Sequence, residues 1–379
     1  MPLNRITASA LAGALACALA LDTAAAIEPE AAARALGTAL ASGTDNAAHF
    51  ERATQQGSDV VIEGLAFGDR EGVNSVRFAR AVIQAPEEGG DAVFTSPQVT
   101  LSDGTVSGDS SGTVENAILT NVRVLSAERL QEQALTQGVV YESAEALGIR
   151  VRGREAPADV TIERILINAE NIVDDAPQES NGRVEGIVIP PEMFAGTAFD
   201  PSSLGYDAIT LNMSWDGGLD PDTNVLTVRH LEIAMEDGGR LSFEGRVGNV
   251  PVAPTGEGVD ASGIATRLDV HDLTLRYVDD SLAGRILDSQ AKLQGVPTEQ
   301  YAQQLSAALP FLLMAINNPE FQNQVVSAIG TFLTNPQSLT IRVAPEAPVS
   351  GAEILQTLGS APQTLPEKLN ATISANAPE

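Results

Sequence analysis

Between Leu204 and Val278 the chain alternates apolar and polar side chains at a period of two, which restricts this stretch to half-buried β-structure. Ala208 to Trp215, Val225 to Met235, Arg240 to Val247 and Ile264 to Tyr277 each carry the pattern. Ile209, Leu211, Met213 and Trp215 all fall on one face. The connections, Asp216 to Asn224 and Glu236-Asp237-Gly238-Gly239, hold the Asp, Asn and Gly that tight or bulged hairpins require. The spacing predicts an antiparallel meander.

The same grammar opens the chain. Val60 to Phe67, Ser75 to Gln84, Ala92 to Leu101 and Thr113 to Val124 read as strands, and Pro97, lacking an N–H, moves the third toward a sheet edge. A short helix over Glu30 to Leu40 precedes them. Ser126 caps a further helix whose pattern resumes over Tyr141 to Leu147. Val160 to Ile167 is a strand, Asp174 to Ser180 an acidic linker, and Val184 to Ile189 a strand stopped by Pro190-Pro191.

After Asp280 the period changes to that of helices. Asp280 caps Ser281 to Leu293; a second helix starts at Thr298 and carries Tyr301, Leu305, Ala308, Leu312 and Ile316 on one face, kinked by Pro310. Asn318 caps a third with Pro319 in its first turn and Phe321, Val325, Ile329 and Phe332 as its apolar face. Ser338 to Val343 returns as a strand, followed by a helix after Ser350, a turn after Pro366 and a strand near Ala371 to Ser374. The fold class is α+β: an extended antiparallel sheet with a C-terminal group of helices at one end or face. Residues 1–26 form a signal peptide, 27–190 a β-rich region with short helices, and 191–379 the meander, the helices and the closing strands.

Export is read from the N-terminus. Arg5 precedes an Ala- and Leu-rich stretch from Ile6 to Leu21, and Ala24-Ala25-Ala26 offers a cleavage site before Ile27. Cys17 is the only cysteine, so the processed chain has no disulfide. A net charge of −28 disfavours nucleic acid and anionic headgroups. The expected setting is the periplasm of a Gram-negative bacterium, with the protein soluble or peripheral to the membrane.

Leu204-Gly205-Tyr206-Asp207, the Asp220-Pro221-Asp222-Thr223-Asn224 turn and Tyr277-Val278-Asp279-Asp280-Ser281-Leu282 resemble an uncharacterised family of secreted alphaproteobacterial proteins. The strand style is similar to that of the AsmA-like envelope proteins, which handle lipids in long β-grooves. No functional residue carries over from either.

Three chemistries are open to the chain. Gly108-Asp109-Ser110-Ser111-Gly112 matches the serine-hydrolase pattern with Ser110 as nucleophile, but lies between two strands rather than before a helix. Asp220, Asp222 and Asn224 imitate the start of a calcium loop, whose sixth and twelfth positions are filled by Val225 and Leu231. No cofactor or metal site is expected. The third feature is the dense apolar run Pro310 to Ile316, either a buried core helix or, with Leu312, Met314 and Phe321, the wall of a pocket for a lipid-like ligand. The expectation is a non-enzymatic envelope protein that binds a hydrophobic molecule; the alternatives are a hydrolase and an acidic cation-binding or adhesive protein.

Overall fold

The computed structural model describes residues 27–41, 47–68, 75–132, 138–197, 199–250, 261–314 and 317–377. Residues 1–26, read from the sequence as a signal peptide, lie outside them, as do the spacers 42–46 and 69–74. In chain order the elements are α1 (Pro29–Leu40), β1 (Ala47–His49), β2 (Arg52–Gln56), β3 (Asp59–Gly68), β4 (Ser75–Gln84), β5 (Glu87–Gly89), β6 (Ala92–Ser107) and β7 (Ser110–Leu125). Then come α2 (Ala127–Glu132), β8 (Val139–Val140), β9 (Ser143–Gly153), β10 (Val160–Val173), β11 (Ala176–Ile189), β12 (Ile209–Asp220), β13 (Val225–Met235) and β14 (Gly239–Gly248). The chain closes with α3 (Ala261–Arg267), β15 (Asp269–Asp279), α4 (Leu282–Gln294), α5 (Thr298–Leu312), α6 (Pro319–Thr334), β16 (Ser338–Val343), β17 (Val349–Ser350), α7 (Gly351–Ser360), α8 (Leu365–Lys368) and β18 (Thr372–Ala375).

The α+β class is as the sequence indicates. Among the described residues all the strands belong to one 18-stranded sheet, and every pairing is antiparallel. The ladder follows the chain: β3 pairs β4, β4 pairs β6, β6 pairs β7 and β7 pairs β9. From β9 each long strand pairs with the next as far as β16, which pairs β18. The β11–β12 ladder carries the sheet across residue 190 without a break.

Several local expectations change. Pro97 is not at an edge, because β6 is bonded on both sides. The missing N–H falls where Asn121 on β7 turns left-handed (φ 49°), and where the Ser96 hydroxyl donates to Gln84 O at 2.6 Å. Tyr141 to Leu147 is not helical: β7 and β10 recruit Ser143 onward as β9, and sheet pairing overrides the helix propensity of Ala, Glu and Leu. The acidic linker is a tight hairpin turn. Asp174 and Asp175 have φ of 50° and 63°, the two positive values that such a turn needs. Asp175 is buried there between Arg123 (2.5 Å) and Arg129 (3.1 Å). Ile264 lies in α3 rather than in a strand. Ala283 N donates to Asp279 Oδ1, so Asp279, not Asp280, serves the start of α4.

The main core is at the N-terminal end. α1 lays Ala32, Ala33 and Leu36 onto Val60, Ile62, Leu65, Phe78, Phe94 and Val99, all buried. Truncating Leu36, with no exposed surface, to Ala costs about 2–5 kcal/mol. A second, smaller cluster joins Val325 and Ala328 of α6 to Ile373 of β18. Asn318 caps α6, accepting from Phe321 N at 3.0 Å, as its sequence requires.

Candidate apolar site on the sheet

Following the register across the sheet separates two faces of opposite character. Ile165, Val184, Met213, Ile233, Leu241, Tyr277 and Leu339 form one cross-strand row, each the partner of the next. Trp215, Leu231, Phe243, Leu275, Ile341 and Ile373 form the row beside it. On the reverse side the corresponding row is Leu166, Arg183, Ser214, Glu232, Ser242, Arg276 and Thr340. Period-two alternation aligned through so many strands makes one face apolar and the other polar.

Among the described residues the apolar face is covered only at its ends. α1 packs on β1–β3 and reaches β6–β8, while α6 packs on β16 and β18 and touches β15 through Phe332, 5.9 Å from Tyr277 edge-to-face. Between them the side chains meet solvent: Ile233 and Leu241, register partners, are each 41% exposed, and Leu275 is alike. At the usual spacing of strands, β9 to β14 spans about 24 Å. An open apolar strip of that extent is unusual on a protein surface and marks an interaction site.

An open hollow of about 330 Å³ lies in this strip, lined by Trp215, Leu219, Leu226, Val228 and Leu231, with Ser180 beside the indole. The Trp215 indole donates to Ser180 Oγ at 3.3 Å. Its ring lies over Gly182, where an added Cβ would stand 2.4 Å from Cζ2, so only glycine leaves room for it. The chain breaks register beside the cavity at Asp216/Gly217 and at Val228/Leu231. Such bulges bend strands and raise local twist, which hollows the face at this point. The volume is at the lower end of small-molecule sites, and the aliphatic groups and the indole are joined on the lining by Ser180, Gln178, Glu179, Asp216 and His230. The apolar part of this lining suits a hydrocarbon chain.

The polar face is laced with ion pairs. Arg229 Nη2 donates to Asp216 (2.6 Å) and Glu179 (2.7 Å), and Arg164 Nε donates to Glu145 (2.6 Å). The Arg229 hydrogen bond holds the Asp216 carboxyl below its ordinary range, against a small opposing effect of desolvation. Tyr277, in the apolar row beside Phe332 of α6, is pushed up by burial and then by its bond to Asp279 (2.6 Å).

The residues singled out from sequence fall elsewhere. Leu312 and Met314 are 73% and 65% exposed at the end of α5, and Phe311 is 72% exposed. This part of the run is therefore not the buried core helix that its composition suggests. Phe321 is half-buried against Val325, Ala328 and Ile373. Ile316 lies outside the described residues. Ser110 opens β7 opposite Gly153, on a strand rather than at a strand-to-helix turn. Of the three histidines, one of which the hydrolase alternative would need as a base, His49 is in β1, His271 in β15, and His230 in β13 pairs with Ser214 at 3.0 Å. The Asp220 carboxylate is engaged within its own turn, accepting from Asp222 N, Thr223 N and the Thr223 hydroxyl, which lowers its pKa. Among the described residues no group of three or more His, Cys, Asp or Glu is placed to hold a metal ion. Nor is any helix there long and apolar enough to cross a membrane.

The site itself was signalled by Ile209, Leu211, Met213 and Trp215 sharing a face. They pair with Ile189, Ile187, Val184 and Gly182 in the structure. What periodicity does not give is whether anything covers that face. A family model described as an uncharacterized protein matches residues 232–376, which begin inside β13 and run through the helices to β18. No curated protein matches the chain.

Proposed function

We propose that this is an exported, periplasmic envelope protein that acts without catalysis, holding a hydrophobic, lipid-like molecule along the open apolar face of its sheet. The observation that carries the reading is the strip between the two helix-covered ends, with the Trp215 cavity in its floor. Its span of about 24 Å exceeds the depth of a single bilayer leaflet, about 15 Å, so one acyl chain lies within it at full length. The likeness in strand style to AsmA-like proteins points to the same class of ligand. Gly182 and the bulges beside Trp215 make the floor, and Ile233 and Leu241 extend it toward the C-terminal end.

Trp215 is the only tryptophan, so its emission reports on the site alone. Native mass spectrometry with organic extraction, on protein taken from its own periplasm, is expected to show an apolar molecule at near-stoichiometric amount. Fatty acid added to stripped protein is expected to shift Trp215 emission to shorter wavelength and saturate. An empty protein whose emission does not respond overturns the proposal.

A further inference from the structure

We infer that the end of α5 is a docking site for a lipid bilayer, inserting Phe311, Leu312 and Met314 into a zwitterionic surface. This rests on a different part of the molecule from the ligand-binding proposal and stands without it.

The three side chains are 72%, 73% and 65% exposed, an unusual concentration of apolar surface. Phe311 and Leu312 stand in the last turn of α5 and Met314 just past its end, while Leu313 between them packs against the Val325–Ala328–Ile373 cluster. The tip is held, not loose: the Gln322 side chain donates to Leu313 O at 2.6 Å, and Asn318 Nδ2 donates to Gln363 O at 2.8 Å. The exposed groups are thus presented by a fixed backbone.

Charge and area decide what occupies the patch. From Gln300 to Pro319 there is no charged residue, in a chain with 50 acidic and 22 basic side chains. A stretch without charge enters a low-dielectric surface with no ion to desolvate. Three side chains of this size present on the order of 400 Å². A specific protein partner or a second copy needs about 800 Å² on each side. A bilayer sets no such minimum, since each inserted side chain gains independently. Interfacial helices commonly add Lys and Arg to reach anionic lipid, and this tip has none. The net charge of −28 therefore sets an unusual salt dependence: anionic vesicles repel the protein, and added salt relieves the repulsion.

The test is co-sedimentation of residues 27–379 with phosphatidylcholine vesicles and with vesicles containing anionic lipid, at low and high ionic strength. Wild type is expected to bind phosphatidylcholine at either salt, and to bind anionic vesicles better at high salt. The Phe311→Ser/Leu312→Ser variant is expected to bind at least tenfold more weakly with an unchanged melting temperature, because its altered groups are exposed. In a Trp215→Phe background, Leu312→Trp is expected to give vesicle-induced blue-shifted emission from the tip. Equal sedimentation of variant and wild type overturns the inference. So does binding to anionic vesicles that falls as salt rises, or a dimer that the double substitution disrupts in the absence of vesicle binding.

Discussion

Replacing Ile233 and Leu241 together by serine separates an open site from an ordinary core. They face each other across β13 and β14, each 41% exposed. Burying such a side chain completely is worth about 1.5–3 kcal/mol. The fold has realised roughly 0.6 of that, so each replacement costs about 1–2 kcal/mol of stability, below the 2–5 kcal/mol of a core truncation. The remainder, roughly 0.4, is left for a ligand to gain. That is about 1 kcal/mol per residue and about 2 for the pair, or roughly a thirtyfold loss of affinity. Denaturant unfolding gives the first quantity, and titration of Trp215 emission with a fatty acid gives the second. Trp215 lies in the neighbouring row and keeps its own contacts, so it remains a valid reporter. Affinity within twofold of wild type, with the variant folded, refutes the argument that this face is where ligand binds.

Asp175→Ala removes a buried carboxylate from two arginines and places a Cβ residue without a compensating polar group at φ 63°; a loss of about 3–5 kcal/mol is expected by denaturant unfolding, with Asp175→Asn losing less because Asn tolerates that conformation. Gly182→Ala drives a methyl into the Trp215 ring and is expected to cost about 1–3 kcal/mol and shift the resting emission of the indole. In alkaline difference spectroscopy Tyr141 and Tyr277 should ionise above the ordinary tyrosine value of about 10, since burial raises both. Raised acids of this kind support the fold below the unfolded value of about 10 and lose that support as pH climbs through their folded values, so unfolding is expected to accompany their titration. At the acid end Glu63, Asp159 and Asp216 are held low by arginine hydrogen bonds, so their contribution is present above the unfolded carboxylate range near pH 4 and disappears as pH falls through their lower folded values. These groups are exposed, so the acid step is expected to be shallow and to weaken further in salt.

The meander was legible in the sequence because its alternation holds over runs such as Ile209 to Trp215 on either side of the bulges, and its turns carry Asp, Asn and Gly where left-handed backbone occurs, as at Asn224 and Asp237. Helix α6 was legible for a similar local reason: Asn318 and Pro319 mark its first turn. Errors arose where a long-range partner overrode local preference. Ser143 onward reads as helix in isolation and becomes a strand because β7 and β10 flank it. The site was half legible. One strand's apolar face was evident at Ile209 to Trp215, but its openness depends on helices that stop at the two ends of the sheet, and no local pattern encodes that. Conversely, Leu312 and Met314 have core composition yet lie outside the core, because α5 packs mainly against α4 and α6 rather than on the sheet.

Because nearly every strand pairs with its successor, distance along the chain maps onto distance across the sheet, and the molecule behaves like a ruler with a fixed stop at each end. α1 and α6 are the stops. Duplicating one hairpin, such as β10–β11, would lengthen the uncovered interval by about 10 Å without touching either stop, and deleting one would shorten it by as much. Such an architecture adjusts the length of what it can accommodate in whole-hairpin increments, leaving the packing that stabilises its ends unchanged.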